Sequence, residues 1–177
     1  MATATQQLNG LDLDAMRTLV QTVTKDPAAA DRLNDWSARV RWETGFRSKA
    51  LVRDHTLVVD EPATLVGQDL APNAAEYVLA AFGACLTTGM ALNATKDGIR
   101  LRNVEVIVEG RLDNILTFFG MSDRGHPGFK EISVKAYIDA DTDDATLKKV
   151  WRDTVASSPI GNTLVRNVVV HDEMVRV

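Results

Sequence analysis

Residues 73–98 read NAAEYVLAAFGACLTTGMALNATKDG, and this stretch decides the fold. Asn73 follows Pro72 and suits a helix N-cap; Gly98 suits a left-handed C-terminal cap. Between them no proline intervenes, and only Gly83 and Gly89 interrupt the side chains. At about 1.5 Å per residue the predicted helix is about 35 Å long, enough to cross a small domain. Val78, Phe82, Cys85, Gly89 and Leu92 form one stripe; Leu79, Leu86, Met90 and Asn93 form another. A helix with no wet face through its middle turns is a buried one. Glu76, Asn93 and Lys96 bound an apolar run too short for a bilayer, so a soluble core helix is expected. It carries Cys85, the single cysteine.

The 177 residues suffice for one domain with a sizeable core plus an appendage. With 45% apolar and 25% charged residues, the composition is that of a globular protein. A net charge of -4 and the lack of any basic run exclude a nucleic-acid surface. MATATQQLNG has neither the charged nor the apolar region of a secretory signal. One cysteine makes no internal disulfide. A cytoplasmic protein with no membrane partner is expected.

Outward from the central helix, residues 1–10 read as disordered. Leu13, Met16, Val20 and Val23, with Leu19 beside them, predict an amphipathic helix capped by Asn9 and stopped at Asp26-Pro27. A polar, Ala-rich linker from Pro27 to Asp35 follows. Residues 1–35 are thus a helical appendage and 36–177 the main domain. Trp36 to Glu43 alternates as a half-buried strand; Thr44-Gly45 turns it. Two more strands, Phe46 to Arg53 and Thr56 to Val59, meet at Asp54-His55. After the central helix, Leu101 to Leu112 and Lys130 to Ile138 alternate as strands. Residues 113–128 connect them with an apolar cluster of Leu116, Phe118, Phe119 and Met121. Ala145 to Ala156 predicts a helix with Leu147, Val150, Trp151 and Val155 on one stripe. Ser157-Ser158-Pro159 breaks it, and Asn167 to His171 reads as a closing strand. Asp139 to Asp144 and Asp60-Glu61 read as solvated turns.

The order gives an α+β fold with helices on antiparallel sheet. Two or three strands per half cannot cover a helix that is apolar all round, so a homodimer with the two long helices at its centre is expected.

The central helix resembles that of the OsmC/Ohr superfamily, in which a pattern like N-P-x-E-L-L-L-A-A-L-G-A-C places a reactive cysteine mid-helix. HTLVVDEP, LRNVEVIVEGRLD, PGFKEISVKAYIDAD and SSPIGNTLVRNVVV agree with it in order and spacing. The resemblance covers about residues 36–177. It implies an OsmC-like intertwined homodimer: two antiparallel-rich, six-stranded sheets built from both chains and wrapped around two central cysteine-bearing helices. Catalytic members reduce organic hydroperoxides. A peroxidatic thiolate attacks the peroxide, a second cysteine resolves the sulfenic acid, a dithiol closes the cycle, and an arginine and a glutamate hold the first thiolate. Cys85 stands in the peroxidatic position. Where the second cysteine is expected before a proline, this chain has Ser158-Pro159.

Cys85 is therefore the candidate nucleophile; the competing assignment is a small apolar packing residue. By the resemblance Arg47, after the first hairpin turn, is the activating arginine, with Arg53 its rival. Glu76 matches the family's glutamate. At about 100° per residue, however, it falls on the side of a straight helix opposite Cys85, and Ala75 stands where peroxidase branches more often carry that group. Glu76 also suits the positive end of the helix dipole. Ser158 could donate to the thiol, or simply end a helix. Phe118, Phe119 and Met121 are either loop packing or an apolar wall for substrate. His55, His126 and His171 lack ligand spacing, so neither metal nor cofactor is expected. The expected function is reduction of a small apolar peroxide through Cys85, an external thiol acting as resolver. The alternative is a non-catalytic dimer of the same fold that binds a small apolar ligand between protomers.

Overall fold

The computed structural model describes residues 6–176. The chain falls into two compact units, residues 1–80 and 81–177, divided within the long helix.

The N-terminal unit opens with a hairpin of β1 (Gln7–Leu8) and β2 (Leu11–Asp12). Asn9 (φ 54°) and Gly10 (φ 77°) both take the positive φ of a primed two-residue turn. Of the stretch expected to be disordered, residues 1–5 lie outside the described residues, while residues 7–10 are in this hairpin. Asn9 is accordingly a turn residue. The cap of α1 (Leu13–Lys25) is Asp12, whose Oδ1 accepts from the Asp14 and Ala15 amides at 2.9 Å each. Asp26 ends α1 and caps α2 (Pro27–Asp31), a short helix in the expected linker. Along the α1 stripe Leu13, Met16 and Val23 are half-buried, and Leu19 and Val20 are exposed.

β3 (Arg39–Thr44), β4 (Arg47–Val52) and β5 (His55–Val59) form the expected antiparallel meander. β3 begins later than Trp36 and is not half-buried: all of its residues, Val40 and Trp42 included, lie exposed in this chain. The second turn is Arg53-Asp54, one residue earlier than expected, with Arg53 at φ 52°. The Asp60-Glu61 pair is not a solvated turn. Asp60 is buried and accepts from the Glu61 amide (2.9 Å) and the Leu70 amide (3.3 Å), while Glu61 accepts from the Asn73 side chain at 3.1 Å. The loop folds back so closely that a Cβ on Gly67 would collide with the Glu61 carbonyl.

α3 (Ala74–Lys96) is the predicted central helix. Gly98, at φ 71°, ends it in a Schellman motif: the Gly98 amide bonds the Thr95 carbonyl and the Ile99 amide bonds that of Ala94, at 3.1 and 2.8 Å. By length and composition α3 could cross a membrane. Its Leu86, Met90 and Ala94 are instead fully buried against protein.

In the C-terminal unit β6 (Leu101–Leu112) and β7 (Phe129–Ala140) form a long antiparallel ladder that pairs Val104 with Ile138 and Val106 with Ala136. Their connection contains α4 (Ile115–Phe118), capped by Asn114. α5 (Asp144–Ser157) and α6 (Pro159–Val165) follow. Met90, Ala94, Ile99 and Val150 make the core, with Val104, Ile138, Leu147 and Trp151 packed on it. The buried face of α5 carries Thr154 in place of the expected Val155, which is exposed. Thr154 satisfies itself by donating to the Val150 carbonyl (2.8 Å) and accepting from Asn93 (3.1 Å). A Cβ on Gly89 would stand 3.1 Å from the Thr154 methyl, so glycine sets how closely the two helices pass.

Two expectations fail in a single chain. α3 is not covered all round, since Ala81, Ala84, Thr88 and Leu92 make an exposed stripe. The closing strand at Asn167–His171 does not form; Val168, Val169 and Val170 lie exposed. A strand exists only where a neighbour completes its ladder, and an apolar run does not by itself supply one. Of the Asp139–Asp144 stretch, residues 141–143 are the turn; Asp139 lies at the end of β7 and Asp144 opens α5. Arg102 bridges Asp139 and Asp141, and Asp143 caps α5.

Candidate active site

Cys85 lies on α3, one turn past Phe82, and is partly buried. It is hydrogen-bonded to Ser158, whose hydroxyl donates to the sulfur at 3.1 Å. Ser158 is itself buried, at the break between α5 and α6. Pro159 forces that break, because its ring lacks an amide hydrogen and belongs in the first turn of a new helix. Ser158 caps α6 by accepting the Gly161 amide at 3.0 Å. Accepting that amide leaves the hydroxyl proton free for Cys85. A donor aimed at sulfur is the arrangement that stabilises a thiolate.

The other candidates have partners of their own. Arg47 opens β4 in the N-terminal unit. Its Nε lies 3.2 Å from Glu43 Oε2, an ion pair by distance, but the buried N–H is not aligned to make a hydrogen bond. Lys49 takes the other Glu43 oxygen at 2.8 Å. The Lys49 hydrogen bond, together with the charges of Lys49 and Arg47, holds the Glu43 carboxyl below its ordinary range. Glu43 therefore remains an anion that partly neutralises Arg47. Arg53 sits in the β4–β5 turn.

Glu76 closes a capping box with Asn73. The Asn73 amide donates to Glu76 Oε2 and the Glu76 amide to Asn73 Oδ1, both at 2.8 Å. Its carboxylate thus serves the start of α3.

Phe118 and Phe119 meet edge to face at 5.2 Å on the β6–β7 connection, where both rings, Leu116 and Met121 are exposed. Among the described residues no group of three or more His, Cys, Asp or Glu could hold a metal ion.

Two residues of the sulfur's surroundings escape sequence reasoning. Gly161 donates its amide to Ser158. Asn162 clamps the α5–α6 break, its side chain donating to the Ala156 and Ser158 carbonyls at 3.0 and 2.8 Å. Their one sequence signal is position, directly after Ser158-Pro159.

The family model for OsmC-like protein matches residues 67–172, more than half of the chain. The chain belongs to the OsmC-like family. No curated protein matches it by sequence. Among solved structures it is similar to an OsmC like protein from Mycoplasma pneumoniae, with a TM-score of 0.64 and 16% identity over 74% of this chain and 87% of that one. It is similar also to an organic hydroperoxide resistance protein OsmC from Legionella pneumophila, with a TM-score of 0.56 and 18% identity over 73% and 90% of the two chains. A third likeness is to an organic hydroperoxide resistance protein from Elizabethkingia anophelis, with a TM-score of 0.54 and 14% identity over 76% and 91%. At these identities the likeness establishes the fold, which in this chain is α+β and OsmC-like.

Proposed function

We propose that this OsmC-like protein reduces organic hydroperoxides through Cys85, with a small external thiol as resolver. The observation that carries the reading is the Ser158 hydroxyl donating to the Cys85 sulfur at 3.1 Å, where the family pattern has a second cysteine. Two of the structural neighbours are named organic hydroperoxide resistance proteins, which favours the same chemistry. The thiolate attacks one peroxide oxygen, the O–O bond breaks, and the other oxygen leaves as an alcohol after taking a proton. Cys85 is left as a sulfenic acid. Serine cannot form a disulfide, so a small thiol condenses with the sulfenic acid, releasing water and giving a mixed disulfide. A second thiol then frees Cys85, and the small thiols leave as their disulfide. A reducing cytoplasm holds such thiols.

Arg47 is the proposed cation for the thiolate, and Phe118, Phe119 and Met121 the apolar wall for the substrate. The working form is a two-fold intertwined homodimer. The exposed stripe on α3, the exposed apolar side chains of β3 and the exposed valines 168–170 all favour it. Light scattering at micromolar concentration should give twice the chain mass; a compact monomer overturns the dimer. The activity is tested by consumption of cumene hydroperoxide with a small dithiol present. Cys85→Ser should abolish it; consumption at the wild-type rate overturns the proposed chemistry.

A further inference from the structure

Two hydrogen bonds meet at the Ser158 hydroxyl. The Gly161 amide occupies a lone pair of Ser158 Oγ at 3.0 Å, and the hydroxyl donates onward to Cys85. Gly161 has no positive φ, so backbone conformation does not explain a glycine there. Space does. A Cβ at this position would stand 3.0 Å from Phe82 Cε2, on the helix that carries Cys85, and 3.2 Å from Ser158 Oγ. Both distances are tighter than ordinary contact; one neighbour is a ring of α3 and the other is the hydroxyl that bonds the sulfur. The Asn162 amide and side chain hold the Ser158 carbonyl at 2.9 and 2.8 Å, so this turn has little freedom to swing away from an added methyl.

We infer that Gly161 is a positioning residue for the Cys85 thiol. Its missing side chain lets the first turn of α6 close onto α3 and set the Ser158 hydroxyl on the sulfur. An added methyl displaces the hydroxyl, and the sulfur loses its donor. This inference rests on Cys85 as the reacting thiol and adds the residue that tunes it.

The test is the rate of Cys85 alkylation by iodoacetamide at neutral pH in the full chain. It compares wild type, Ser158→Ala, Gly161→Ala and the double variant. A hydrogen bond to a charged acceptor corresponds to about tenfold, so Ser158→Ala should slow alkylation about tenfold and Gly161→Ala several-fold. The double variant should be no slower than Ser158→Ala alone, because both changes remove the same donor. A merely structural role has the opposite sign, since loosening the turn exposes the thiol and speeds alkylation. A wild-type or faster rate in Gly161→Ala, or full additivity in the double variant, overturns the inference. If Gly161→Ala does not fold, Phe82→Leu with Gly161→Ala relieves one contact and keeps that with Ser158. It must still alkylate more slowly than Phe82→Leu alone, and an equal rate overturns the inference. Alkylation needs no peroxide. Failure of the peroxidase reading therefore shows in hydroperoxide consumption and leaves this result standing.

Discussion

Replacing Ser158 by cysteine should convert a thiol that depends on an external resolver into one that resolves itself. The Ser158 oxygen already lies 3.1 Å from the Cys85 sulfur, and a disulfide needs about 2.05 Å, so the gap to close is about 1 Å. The two residues are 73 apart in sequence. For a loop of that length the chain-entropy model gives about 4 kcal/mol of stabilisation on closure. Loss of the serine cap on α6 costs about 1 kcal/mol in both redox forms of the variant, so the difference between oxidised and reduced forms stays about 4 kcal/mol. In a chain of 177 residues that corresponds to a melting temperature about 10 °C above the reduced form. The assay is intact-protein mass after one equivalent of cumene hydroperoxide, followed by thermal melts with and without reductant. The expected product has lost two hydrogens, keeps no added oxygen, and melts higher until reduced. Accumulation of oxygen adducts on Cys85, with oxidised and reduced samples melting together, would refute the placement of these two side chains.

Three further outcomes follow from the geometry. Glu76→Ala removes one arm of the capping box and should lower stability by about 1 kcal/mol, leaving Cys85 reactivity unchanged; a lost activity at unchanged melting temperature would contradict its capping role. Arg47→Ala should slow hydroperoxide consumption several-fold and Arg53→Ala should not, as steady-state rates would show; equal rates in both variants count against Arg47. The third concerns acid. Hydrogen bonds from the Thr146 amide first, then its hydroxyl, hold the Asp143 carboxyl below its ordinary 3.8. A depressed carboxylate contributes stability that is fully present above that ordinary value and is lost as the pH falls through the lower folded one. Asp143→Asn keeps an uncharged cap, so its melting temperature should fall less steeply below about pH 4 than that of the wild type; parallel profiles would exclude this contribution.

How much was legible in the chain depended on how local each cause is. The ends of α3 could be read because Asn73, Glu76 and Gly98 act within one turn of themselves. β6 and β7 could be read because alternation records which side each residue faces. Asn9-Gly10 is an equally local signal for a hairpin, but a cap reading of Asn9 obscured it. Asp60 is another matter: its burial depends on the Leu70 amide returning from ten positions away. The valines at 168–170 have the composition of a strand, yet pairing is decided by an available edge. At the site, Cys85 and Ser158 were legible through the family pattern. Gly161 was not, because its role is a distance between two helices.

The central claim is that Cys85 is a peroxide-reactive thiol whose oxidised state has no partner within its own chain. Intact-protein mass against cumene hydroperoxide dose tests it most directly. With a small thiol present, the account predicts a single mixed disulfide on Cys85; without one, it predicts addition of two oxygens to form the sulfinic acid. A Cys85 that stays unmodified at doses that oxidise free cysteine would contradict the account and leave the thiol a packing residue of α3.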